Sequence, residues 1–307
     1  MKLPDKVTIK EVGPRDGLQN EKQMLSTEDK IEWINRLSET GLSYIEVSSF
    51  VHPKWIPQLS DAAEVVKGIN RKEGITYAAL VPNAKGLERA LEASIDEVSI
   101  FMSASESHNQ KNINKSIEET FPVLEEVIQI AKQEHKPVRG YISTVFGCPI
   151  EGAVSTDKVI LVMDRLLEAG VDEISLGDTI GVAHPSQVED VLKYIQRHVP
   201  KERIALHFHN TRGTALANCL VALQHGYTTF DSSIGGLGGC PYANGATGNL
   251  ATDDLLYMLH GMEIHTNIDS EKLQSAALFI QSKLQKPLLS HQMQIFNAKG
   301  DVYEKNR

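Results

Sequence analysis

The stretch Leu91-Glu92-Ala93-Ser94-Ile95-Asp96-Glu97-Val98-Ser99-Ile100 recurs, little changed, as Leu167-Glu168-Ala169-Gly170-Val171-Asp172-Glu173-Ile174-Ser175-Leu176. A weaker echo runs from Leu37 to Glu46, with Gly41 in the place of Gly170. Each copy reads as a helix end, a small residue suited to a helix C-cap, and a short apolar strand. Helix-to-strand connections this short belong to βα units and predict a parallel sheet. The same alignment puts Glu46, Ser99, Ser175 and Asp231 at equivalent positions, five residues after the cap. These four should point the same way, and an inward carboxylate needs a partner.

Outward from the repeat, eight strands are expected: Val7–Val12, Tyr44–Val47, Thr76–Val81, Glu97–Phe101, Val138–Val145, Glu173–Leu176, Ile204–Phe208 and Thr228–Ser232. Helical patterns fall between them. In Ser26–Ser38, Ser26 and Asp29 form a capping pair and Ile31, Ile34 and Leu37 mark one face. Others are Asp61–Ile69, Lys85–Ala93, Ser116–Glu134, Ser155–Ala169, Pro185–Arg197, Gly213–His225 and Thr252–Leu259. This α/β alternation reads as a (β/α)8 TIM barrel over about residues 7–262. An open doubly wound sheet is the competing topology, but no Gly-x-Gly-x-x-Gly follows the first strand. Beyond Asn267 a further helix (Ser270–Gln285) and a polar tail should pack outside the barrel, so that 1–307 forms a single catalytic domain.

The composition, 41% hydrophobic and 23% charged, is that of an ordinary soluble enzyme. A formal charge of -9 argues against nucleic acid as a general partner. Three cysteines, Cys148, Cys219 and Cys240, are poor material for a disulfide framework and fit a reducing compartment. With no leader pattern at Met1–Lys6 and no apolar run long enough to span a bilayer, the expected location is the cytoplasm, away from membranes.

In such barrels chemistry sits at the C-terminal ends of the strands. His207 and His209, in Leu206-His207-Phe208-His209-Asn210, share one face of a strand end and can chelate one cation. Gly13-Pro14 breaks the first strand, letting Arg15 and Asp16 turn toward the mouth; an exposed ion pair in a turn is the plainer reading. Strand two ends at Glu46, and strand six runs into Gly177-Asp178-Thr179, where Asp178 serves either the site or the N-cap of the next helix. After strand eight, six glycines lie between Ile234 and Asn249, with Cys240 among them. Such a loop can approach a ligand closely.

Three segments, Gly13-Pro14-Arg15-Asp16-Gly17-Leu18-Gln19-Asn20-Glu21, His207-Phe208-His209-Asn210 and Gly236-Leu237-Gly238-Gly239-Cys240-Pro241-Tyr242-Ala243, together resemble the 3-hydroxy-3-methylglutaryl-CoA lyase family. That family belongs to the metal-dependent barrel superfamily that also holds isopropylmalate and homocitrate synthases. The Arg-Asp pair is shared across the superfamily, whereas the cysteine-containing loop is characteristic of the lyases. The resemblance implies Asp16, His207, His209 and Asn249 as ligands of Mg2+ or Mn2+, and Arg15 and Cys240 as catalytic groups supported by Glu46 and Asp178. It further implies a CoA thioester substrate, cleavage between C2 and C3, and a homodimer.

Five other readings compete with this one. A Claisen-condensing synthase would share Arg-Asp and His-x-His but not the Cys240 loop, and a lyase for another branched 3-hydroxyacyl-CoA would share everything. A metal-dependent barrel hydrolase places His-x-His after the first strand instead of the seventh. A Schiff-base aldolase needs a strand-end lysine, which none of the eight strands supplies. A non-catalytic binding protein would not need so many paired ionisable groups.

Overall fold

The computed structural model describes residues 3–238 and 248–305. Eight parallel strands close into a barrel in sequence order: β1 (Thr8–Glu11), β2 (Tyr44–Ser49), β3 (Thr76–Leu80), β4 (Glu97–Ser103), β5 (Val138–Ser143), β6 (Glu173–Gly177), β7 (Ile204–His207) and β8 (Thr229–Ser232). β8 pairs with β1 through Thr8 opposite Thr229 and Glu11 opposite Ser232, which completes the ring. Helices connect successive strands and bury one apolar stripe each; in Thr156–Ala169 it is Val159, Ile160, Val162, Met163 and Leu166. Burying one such side chain is worth roughly 1.5–3 kcal/mol, so these stripes fix the helices to the outside of the sheet.

The caps read from the repeat all adopt the left-handed backbone expected of them: φ is +92° at Gly41, +67° at Ser94, +111° at Gly170 and +80° at Gly226. At Gly41 a Cβ would lie 2.1 Å from the Asn267 carbonyl oxygen, so sterics and φ both require glycine there. Five residues on, Glu46, Ser99, Ser175 and Asp231 are all buried inside the barrel. They come from alternate strands, as the four members of one interior layer do. In most such barrels that layer is branched and apolar; here it is polar and continues into the buried Arg139 and Lys10.

Two helices are absent from the sequence reading. Glu106–Ile113 lies between β4 and the expected helix that starts near Ser116, and the supposed polar tail is a helix, His291–Lys305. Ser270–Leu284 lies outside the barrel against the helix Thr27–Ser38, with Lys283 Nζ 2.7 Å from Asp29. Among the described residues no helix is long and apolar enough to cross a membrane.

Candidate metal centre and active site

After β1 the chain cannot continue as a strand through Gly13-Pro14 and makes one π-helical turn, Gly13–Gly17. The Val12 carbonyl accepts the N–H groups of Arg15 (3.2 Å), Asp16 (2.7 Å) and Gly17 (3.3 Å). Single π turns gather at functional positions, and this one lets the neighbouring residues Arg15 and Asp16 both line a cavity of about 480 Å³ at the barrel rim. His207 and His209 line it as well. Arg15 and Asp16 are therefore not an exposed pair: Arg15 is 6% accessible.

Arg15 is held by acids. Its Nε donates to Glu46 Oε2 at 2.5 Å and its Nη1 donates to Asp16 Oδ1. Burial works against the guanidinium charge, but Glu46 and Asp16 raise its pKa above the ordinary value. A register shift of β2 against β3 between Glu46 and Ser48 marks an irregularity beside this contact; such bulges re-aim side chains next to active sites. Tyr141, on β5, donates its hydroxyl to the same Glu46 oxygen at 3.2 Å, and its ring centre is 5.1 Å from the Arg15 guanidinium carbon.

The imidazoles are set from the other side. His207 Nδ1 lies 3.2 Å from Asp231 Oδ2, which leaves Nε2 to face His209 Nε2 at 3.3 Å and Asp16 Oδ2 at 3.8 Å. Asp231 is fixed in turn by Ser175 Oγ (2.8 Å) and Arg139 Nη2 (2.5 Å). Burial would raise the Asp231 pKa, but Arg139 and His207 hold it well below the usual carboxylate range. Burial, with His207 adjacent, pushes His209 down to about 3, so its ring is neutral at pH 7 and its lone pair is available to a cation. Asp16 resists burial through Arg15, His207 and His209 and stays below the usual carboxylate range.

One donor atom from each of Asp16, His207 and His209 falls within a 4.8 Å span. Asn249 joins them because its backbone bridges to His209. Its Nδ2 donates to Asp16 Oδ2 at 2.8 Å and to the Leu237 carbonyl at 3.0 Å, which leaves Oδ1 as the amide's acceptor. Ring nitrogens that face each other and a carboxylate, beside a neutral imidazole, fit a divalent cation.

Asp178 is not among these converging donors, although its backbone N–H donates to the His207 carbonyl at 2.9 Å. It is not the cap of the next helix, which begins at Pro185 and is capped by His184. Instead its Oδ1 accepts from the N–H of Val182 (2.9 Å) and Ala183 (3.3 Å), and burial lifts its pKa to about 6. Cys240 lies outside the described residues. Sequence reasoning gave no role to Tyr141 or Arg139, nor to His108 and Asn112, which the unexpected helix Glu106–Ile113 adds to the cavity wall. For Arg139 and Tyr141 a signal existed: two large polar residues at alternating positions of a parallel strand, where apolar side chains are the rule.

Known proteins share this arrangement of elements. A family model described as HMGL-like matches residues 6–280. The hydroxymethylglutaryl-CoA lyase YngG of Bacillus subtilis is 59% identical over 97% of this chain and 100% of its own length. A crystal structure of a B. subtilis HMG-CoA lyase superposes with a TM-score of 0.95 at 60% identity, covering 97% of this chain and 100% of that one. An HMG-CoA lyase from Acinetobacter baumannii, solved in complex with coenzyme A and 3-methylmalate, superposes at 0.89 with 40% identity and 94% coverage of each chain. With the barrel, the paired imidazoles and matches that run nearly end to end, the chain belongs to the HMGL-like family.

Proposed function

We propose that the protein cleaves the C2–C3 bond of 3-hydroxy-3-methylglutaryl-CoA, giving acetyl-CoA and acetoacetate. The observation that carries this is the convergence of Asp16, His207 and His209 on one point of the cavity, beside the Arg15 guanidinium. Asp16, His207, His209 and the Asn249 amide oxygen would hold Mg2+ or Mn2+, since oxygen and imidazole donors without a thiolate suit those ions. When bound, the cation lowers the pKa of the substrate's 3-hydroxyl and orients it.

The remaining work falls to side chains. The ionised Asp16 carboxylate takes the hydroxyl proton. As the C2–C3 bond breaks, its electron pair passes to the thioester as an enolate, while the 3-hydroxyl carbon becomes the ketone of acetoacetate. Arg15 donates to the enolate oxygen, with Glu46 and Tyr141 fixing the guanidinium. Cys240, two residues beyond the cavity-lining Gly238, protonates C2 to complete acetyl-CoA; a thiol with a reference pKa of roughly 8.5 is a competent acid for that carbon. Asp178 acts indirectly, holding the 178–183 turn. A single catalytic domain working as a cytoplasmic homodimer belongs to the same reading and rests on the family resemblance.

Incubating the protein with the thioester and Mg2+ should release acetoacetate, and EDTA should suppress it at least ~100-fold, with activity returning on adding Mn2+. No acetoacetate from the metal-loaded protein would dismiss the reading. A condensing synthase would instead consume acetyl-CoA when given a 2-oxo acid. Cys240→Ser should lower kcat by about 100-fold, the scale of a lost general acid, while Mn2+ affinity stays at the wild-type value. Near-normal turnover in that variant would remove Cys240 as the acid.

A further inference from the structure

Glu11 ends β1 inside the barrel wall and is fully buried, yet it touches none of the groups assigned above. Its carboxylate joins three segments. Oε1 accepts the N–H of Gly13 (2.8 Å), the first residue of the π turn, and the N–H of Ile234 (3.0 Å), just past β8. Oε2 accepts the hydroxyl of Thr252 (2.6 Å), which opens the helix Thr252–Gly261.

Those segments carry the proposed ligands. The π turn holds Arg15 and Asp16. Asn249 lies three residues before Thr252, and that stretch is laced to the end of β8 by Ser233 N–H to the Leu250 carbonyl (2.9 Å) and Thr252 N–H to the Ser233 carbonyl (3.1 Å). The contact between the two sides leaves no slack. A Cβ on Gly13 would fall 2.5 Å from Glu11 Oε1, and one on Gly17 would fall 2.8 Å from Ser233 Oγ.

We propose that Glu11 is a positioning residue, holding the turn that bears Arg15 and Asp16 in register with the segment that bears Asn249, so that Asp16 and Asn249 meet at the metal centre. This rests on the divalent-metal reading of that centre. What the position requires is an acceptor for two N–H groups and a partner for one hydroxyl, not a charge. Burial already lifts the Glu11 carboxyl to about 7, and a glutamine offers a carbonyl oxygen for the two N–H groups and an amide for Thr252.

The test is Mn2+ titration with kcat and KM on Glu11→Ala and Glu11→Gln, with circular dichroism to establish folding. Glu11→Ala should bind Mn2+ at least ~10-fold more weakly and lose kcat by ~10- to 100-fold, the scale of lost outer partners of a metal site, with KM moving far less. Glu11→Gln should restore both. A folded Glu11→Ala protein with wild-type Mn2+ affinity and kcat overturns the proposal. So does a Gln variant as impaired as the Ala variant. If Glu11→Ala does not fold, Thr252→Val carries the test: weakened Mn2+ binding supports the clasp and unchanged binding overturns it. Wild-type protein that binds no Mn2+ overturns the metal reading and this proposal with it, whereas wild-type binding matched by Glu11→Ala overturns this proposal alone.

Discussion

His207→Ala should bind Mn2+ more than ~100-fold more weakly than the wild-type protein and should lose turnover in the same proportion at limiting metal. The lower bound comes from metal sites in general, where removing only an outer partner of a ligand already costs about 10- to 100-fold; removing a ligand costs more. The side chain is not replaceable by its neighbours. His209 faces it across 3.3 Å, and Asp16 stands 3.8 Å away, so each already has a place in the donor set. Nor should the loss come from unfolding, because Asp231, the carboxylate behind His207, keeps Arg139 and Ser175 as partners. A titration of the folded variant decides the matter: affinity within threefold of wild type would remove His207 from the ligand set. Asp231→Asn, which weakens the Nδ1 contact and also removes the charge that faces Arg139, should fall between wild type and His207→Ala in Mn2+ affinity.

That order of effects follows from how the barrel is filled. Arg139 donates through Nε to Glu173, through Nη1 to Tyr141 and through Nη2 to Asp231, and it is wholly buried. One branch from it reaches His207 through Asp231. The other reaches Arg15 through Tyr141 and Glu46. Replacing buried ionic groups of this kind with apolar residues is often neutral or stabilising, so stability alone is a poor reason for such an interior. Fixing the orientation of the groups at the rim is a better one, because a base, an oxyanion partner and metal ligands act only within a fraction of an ångström of their working geometry.

The same interior explains what the chain discloses on reading and what it withholds. Helix caps are local: Gly41, Ser94, Gly170 and Gly226 sit where the backbone must turn left-handed, so the repeat that contains them marks four of the eight strands, β2, β4, β6 and β8. The alignment also collects Glu46, Ser99, Ser175 and Asp231 into a layer, yet leaves Asp231 without a partner. Its partner Arg139 is 92 residues away, and although Arg139 and Tyr141 alternate as polar residues on a parallel strand, nothing local says which carboxylate Arg139 meets. Glu106–Ile113 escapes for the opposite reason. Seven of its eight residues, all but Ile113, are polar, so no apolar period marks a helix, and its local signal is the Ser105 cap. His207 and His209 are legible because strand alternation states locally where they point, whereas Gly13-Pro14 leaves Arg15 and Asp16 as readily an exposed pair, and the family resemblance gives them their place in the site. That Glu46 takes the Arg15 guanidinium instead of the substrate is a tertiary fact.

Arg15→Lys should reduce kcat about 10²- to 10³-fold while leaving Mn2+ affinity within tenfold of wild type, which separates it cleanly from His207→Ala. The range is that of losing one donor to a developing oxyanion. Lysine keeps the charge, so a purely coulombic role for Arg15 would predict a mild effect. The geometry predicts otherwise. The guanidinium uses Nε on Glu46 and Nη1 on Asp16, which leaves Nη2 of the same rigid plane to meet the thioester oxygen. A lysine ammonium has neither that spacing nor that plane. Drawn toward Glu46 and Asp16, it is held by the acids that orient the arginine. KM should change little, because the contact strengthens only as the enolate forms. Turnover within tenfold of wild type, with the lysine variant properly loaded with metal, would mean that charge alone suffices, and the oxyanion role assigned to the arginine fork would have to be given up.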